Sequence, residues 1–236
     1  MQNDYFEKSD LKPIDKITLK KIIDELFSTS IIQQAQKELE IARQQWNKWT
    51  PDQKLVFCEK LYLILYSQYF PKTLFQTTCN SSEFTGLFYC SEWKICFSVG
   101  LINQGVYKLE NFIGVFLHES FHAFLFFLSI CFKPAIGYEK LRPPQSIMQF
   151  ARKIQIDTNQ NTLMKIAKKN LLGCFDRGLG HADSYFLNVE ILTDNLAEFL
   201  FYKIFPNRPY NRGYASEEQY IKRRMLGFTP ESAKRA

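Results

Sequence analysis

His118, Glu119 and His122 stand together in a stretch, residues 110–132, whose other side chains are almost all apolar. They spell H-E-x-x-H. On a helix, residues four apart share a face, so two imidazoles at that spacing can converge on one cation while the carboxylate beside them flanks it. Neutral imidazole suits zinc, which in a catalytic site keeps one position open for water and lowers the pKa of that water toward about 7. Glu119 is then the general base toward that water. The alternative is a buried helix with two core histidines satisfied by their neighbours. Burying such polar groups without partners costs about 2–7 kcal/mol each, and the run itself supplies none.

A third ligand must come from elsewhere. The metzincin continuation, H-E-x-x-H-x-x-G-x-x-H, is excluded because Leu125 and Leu128 occupy its Gly and His positions. The segment 188–202 is better suited, since Glu190, Asp194 and Glu198 recur every four residues and form one acidic stripe on an otherwise apolar helix. A cation would satisfy those carboxylates. An Asp one turn beyond a ligating Glu can also accept the free N–H of a zinc-bound histidine and fix its tautomer. Glu190 is the expected third ligand, with Asp194 and Glu198 open as alternatives.

H-E-x-x-H followed by an E-x-x-x-D helix resembles the gluzincin metallopeptidases, of which the thermolysin and neprilysin families are familiar members. The resemblance implies that His118, His122 and Glu190 hold Zn2+, that Asp194 orients His118 from behind, and that Glu119 is the base. It covers two helices. Between His122 and Glu190 lie 67 residues, more than in thermolysin, and Leu196-Ala197 stands where the neprilysin motif has glycines. The N-A-aromatic edge-strand motif is absent as well, so the class carries over and not one family. Gluzincins further place a His or Tyr to stabilise the tetrahedral oxyanion, a donor worth about 2.7–4 kcal/mol. His181 is the candidate, with Tyr185 and Tyr202 behind it. It precedes Glu190, whereas the family's histidine generally follows the ligand, and a loop histidine without a role is the alternative reading.

The elements that must position these groups are legible in outline. Apolar residues recur at three- and four-residue steps from Ile14 to Phe70, which predicts two or three helices. Thr50-Pro51-Asp52-Gln53 is a helix start, with Thr50 as N-cap, Pro51 at the first helical position and Gln53 completing a capping box. That helix is expected to reach about Phe70. Residues 84–89 and 93–99, rich in aromatic and β-branched side chains and separated by Ser91-Glu92, predict a β-hairpin just before the H-E-x-x-H helix. Zinc peptidases commonly bind extended substrate along such an edge. Helical patterns follow at about 146–156 and 162–172, and glycines 173, 178 and 180 mark a loop leading to His181.

Composition bounds the rest. The chain has 236 residues, 46% of them hydrophobic, and a net charge of +6 whose Lys and Arg are spread apart from a modest C-terminal cluster. This charge reads as solubility with weak attraction to acidic partners, and no nucleic-acid partner is expected. Six cysteines show no C-x-x-C pair and are expected to be reduced, with Cys90 and Cys96 left open as a pair across the hairpin. The N-terminus has neither the basic start nor the apolar stretch of a secretory signal, which points to a cytosol, or to export by a signal-independent route into a host cytosol. Residues 110–132 are long enough to consider a membrane span, but no second span is present to enclose a site. The expected fold is α+β, a zincin-like metallopeptidase domain, mostly helical with a small antiparallel sheet: a helical part at 1–80 and a catalytic part at 81–236, expected to form one continuous domain. The expected function is zinc-dependent hydrolysis of peptide bonds in a protein or peptide substrate, in a housekeeping enzyme or an effector dedicated to one host protein. The rivals are a catalytically inactive zincin-fold interaction module and a structural metal-binding protein.

Overall fold

The computed structural model describes residues 16–67, 76–80, 86–103, 109–132, 144–156, 182–208 and 210. Three helices open the chain: α1 (Lys16–Leu26), α2 (Thr29–Gln45) and α3 (Pro51–Tyr66). Ser28 caps α2 by accepting from the Ile31 amide. The α3 start is the predicted capping box: the Gln53 amide donates to Thr50 Oγ1 at 3.3 Å and the Thr50 amide donates to Gln53 Oε1 at 2.8 Å. The helix stops at Tyr66, short of the expected Phe70, with Ser67 as its C-cap.

Three strands follow, β1 (Gln76–Asn80), β2 (Gly86–Tyr89) and β3 (Lys94–Ser98), in the order β1-β3-β2. The predicted hairpin is present, with β2 antiparallel to β3 and Leu87 opposite Cys96. The sheet is nevertheless mixed and not purely antiparallel, because β1 pairs parallel to β3, with Thr78 opposite Cys96. Gln76-Thr77-Thr78-Cys79-Asn80 carries no apolar alternation to betray it; its place in the sheet is seen in its backbone pairing with β3. Trp93 ends the hairpin turn at φ 54°, in the left-handed region that costs a non-glycine residue roughly 1–2 kcal/mol. Its buried indole offsets that cost by packing on Phe88, Phe126 and Phe127, at ring-centroid separations of 5.2, 5.9 and 6.4 Å, which anchors the hairpin to the helix carrying the motif.

After α4 (Val99–Asn103) that helix, α5, runs Leu109–Phe132. Most of its described side chains are apolar and buried, as suits a helix packed on several sides. β2, α6 (Gln145–Ile156) and α7 (Ala182–Ile204) all pack on it, and α1 and α2 pack on α7 in turn. One hydrophobic cluster joins the N-terminal helices, β3, α5, α6 and α7. No helix among the described residues is long and apolar enough to cross a membrane. Cys58, Cys90, Cys96 and Cys131 are not disulfide-bonded, and Cys96 stands opposite Leu87 and Thr78 in the sheet. The helix expected at 162–172 lies outside the described residues.

Candidate metal centre

α5 presents His118, Glu119 and His122 at one level, and the helical spacing does what the motif requires. The two rings meet edge to face with centroids 4.5 Å apart, and their Nε2 atoms face each other at 2.9 Å. His118 and Glu119 are 5% and 7% exposed, while His122 is half-buried and forms the open side of the cluster. Ser120, also buried, satisfies its hydroxyl within the helix by donating to the Phe116 carbonyl at 2.6 Å.

α7 closes the cluster from behind with two consecutive residues. Asp194, 3% exposed, holds Oδ1 2.8 Å from His118 Nδ1. A carboxylate only accepts, so this contact favours the neutral tautomer with the proton on Nδ1, which leaves Nε2 its lone pair. Thr193, fully buried, sets Oγ1 3.5 Å from His122 Nδ1, at the long end of the hydrogen-bonding range. The sequence reading missed Thr193. Its only signal was a hydroxyl next to Asp194 on an apolar helix, and register alone does not say which neighbour it faces.

The sheet covers the remaining member. Gly86, the first residue of β2, lies so near α5 that a Cβ there would stand 2.5 Å from Val115 Cγ1, 3.0 Å from Glu119 Cγ and 3.3 Å from Glu119 Oε1. Only glycine permits that approach. The edge strand thus rests directly against the Glu119 side chain.

The acidic stripe of α7 divides. Asp194 faces His118, whereas Glu198 hydrogen-bonds Tyr202, whose hydroxyl pKa is raised by desolvation first and by the Glu198 charge second. Tyr202 itself is 41% exposed and lies two turns past Asp194, about 12 Å along the axis, so it does not join the histidines. Glu190 falls within α7 one turn before Asp194, and Tyr185 in its first turn, but the side chains of both lie outside what is described, as does His181 entirely. Among the described residues, no group of three or more His, Cys, Asp or Glu is drawn together to hold a metal ion.

The two histidines by themselves fit a metal. Imidazole nitrogens each 2.0–2.1 Å from a tetrahedral zinc stand about 3.3 Å apart, a few tenths of an ångström more than here. A lone pair on His118 Nε2 aimed at the second ring nitrogen leaves two solutions: a proton between them, or a cation between them. No protein-family model matches this chain, and no curated protein sequence or solved structure is significantly similar to it.

Proposed function

We propose that this chain is a zinc-dependent peptidase with a zincin-like architecture, in which His118, His122 and Glu190 hold the ion and Glu119 is the general base. The observation that supports it most is the facing pair of Nε2 atoms, with Asp194 behind the first ring and Glu119 alongside. Glu190 is proposed from its place on the stripe, one turn before Asp194 on α7. Zinc, when bound, supplies Lewis acidity that polarises a carbonyl and acidifies water.

The chain's own groups do the rest. Asp194 keeps the His118 proton on Nδ1, so that Nε2 stays a donor of electrons. Glu119 accepts a proton from water at a carboxylate oxygen and passes it to the departing amine nitrogen. Its 7% exposure limits competition from bulk water for that proton. Among the described strands β2 has no partner on its outer side, and an extended peptide added there lies next to Glu119 with backbone hydrogen bonds to hold it. Action in a cytosol, the chain's own or that of a host cell receiving it as an effector, is part of the proposal.

The test compares wild type with Glu119→Gln. Both should purify with one zinc per chain, and the variant should lose turnover by several orders of magnitude, since it removes the base and keeps the volume. New protein N-termini appearing in cells that express wild type, and not Glu119→Gln, would identify the substrate. Equal activity of the two forms refutes the mechanism, and a zinc-free wild type after zinc-supplemented expression refutes the metal.

A further inference from the structure

We propose that Thr193 is a positioning residue for the second histidine, accepting the His122 Nδ1 proton and so turning both ring Nε2 atoms into ligands. The inference rests on the zinc reading for its consequence and on the geometry of α5 and α7 for its premise. Thr193 Oγ1 and Asp194 Oδ1 each face an Nδ1, at 3.5 and 2.8 Å, while the two Nε2 atoms lie 2.9 Å apart.

The direction of the Thr193 hydroxyl sets which tautomer the neutral His122 ring takes. If Thr193 donated to His122 Nδ1, the His122 proton would sit on Nε2 and point into the His118 lone pair, a closed hydrogen bond with no place for a cation. If Thr193 accepts, the two neutral rings present Nε2 lone pairs to each other at 2.9 Å, an arrangement that a shared proton or a bound metal cation relieves. A buried hydroxyl on a helix commonly donates to the carbonyl one turn back, as Ser120 does to Phe116 at 2.6 Å. A Thr193 proton directed that way leaves the oxygen to accept. One dipeptide of α7 then fixes both tautomers, through a charged acceptor on the buried ring and a neutral one on the half-buried ring.

Thr193→Val removes the hydroxyl at nearly constant shape, and Thr193→Ser keeps it. Zinc affinity, measured by competition with a chromophoric chelator, should fall about 10- to 100-fold in Thr193→Val and stay within about threefold of wild type in Thr193→Ser. Thr193→Val binding zinc as tightly as wild type overturns the proposal. The 15N shifts of the metal-free imidazoles test the premise separately: His122 should carry its proton on Nδ1 in wild type and in Thr193→Ser, and lose that preference in Thr193→Val. A metal-free wild type with the His122 proton on Nε2 overturns it whether or not zinc binds. If that proton is on Nδ1 but wild type binds no zinc, the positioning role stands and the zinc reading fails.

Discussion

Gly86→Ala tests the contact that joins the sheet to the motif helix. The added Cβ would stand 2.5 Å from Val115 Cγ1, about 1 Å or more inside an ordinary carbon–carbon contact of 3.5–4.0 Å. Val115 cannot give way, being buried and β-branched on a helix, where one χ1 rotamer dominates. Glu119 Cγ at 3.0 Å blocks the other side. Either β2 lifts from α5 or Glu119 changes rotamer, and overpacking of this kind costs about 1–3 kcal/mol. Replacing glycine returns about 0.4–1 kcal/mol through the unfolded chain. The net expectation is therefore a loss of roughly 0.5–2 kcal/mol in urea unfolding, together with a fall in the kcat of the proposed peptidase activity at unchanged zinc content. Val115→Ala removes the nearer obstacle, so the double variant should recover part of the loss, a favourable coupling in a double-mutant cycle. A Gly86→Ala protein as stable and as active as wild type, or a cycle with no coupling, refutes the reasoning.

The carboxylates of α7 should separate by role: Glu190→Ala abolishes zinc retention, Asp194→Ala weakens zinc binding by about 10- to 100-fold, and Glu198→Ala leaves it intact. Zinc titration that finds Glu190→Ala binding as tightly as wild type removes Glu190 from the site. Thr50→Ala removes the hydroxyl that accepts from the Gln53 amide, leaving the residue-50 amide to donate to Gln53 Oε1, and should cost about 0.5–2 kcal/mol, read from urea denaturation, with zinc content unaffected. Burial pushes the Cys131 thiol up to about 12 and the Cys58 thiol well above its ordinary range. The reactive thiolate of Cys131 is then only about one part in ten thousand at pH 8. Peptide mapping after brief alkylation of native protein should find both unmodified, and rapid labelling of either would contradict their placement.

What could be read from the sequence followed local rules. The H-E-x-x-H spacing needs only a helix to bring His118 and His122 face to face, and Thr50-Pro51-Asp52-Gln53 contains all the atoms of its own capping box. The hairpin was legible because 84–89 and 93–99 share a β-rich composition across a short turn. The contact of Asp194 with His118 needs two helices to pack in one register; the four-residue stripe suggested a carboxylate behind a histidine, and the gluzincin resemblance named His118 as the one. Thr193 was not legible, because its role depends on which side of α7 faces His122, a tertiary fact. β1 was hidden for a related reason: Gln76–Asn80 joins the sheet through backbone groups, about which side-chain patterning says nothing. Gly86 sits next to Thr85 like any turn glycine, and its meaning appears only when α5 passes beneath it.

The N-terminal helices are tied to the cluster through α7. Asp194 and Thr193 can act on the imidazoles only if α7 holds its register against α5, and a slip of a few tenths of an ångström would lengthen the already long Thr193 contact out of hydrogen-bonding range. α7 is gripped near its C-terminal end, where Gln36 Nε2 of α2 donates to the Lys203 carbonyl at 3.0 Å and Lys203 pairs with Asp24 of α1. The exposed ion pair adds little energy by itself. The packing beneath it adds more: Phe27, just past α1, meets Phe121 at 6.2 Å and Tyr66 of α3 at 5.6 Å, and Phe121 adjoins His122. The helical part of the chain therefore positions the site through two routes, one along α7 to the bracing residues and one through Phe121 to α5. β2 and Gly86 supply a third, to Glu119. Each reactive side chain is held by a different neighbour, so a substitution behind one of them should move that group and leave the other two in place.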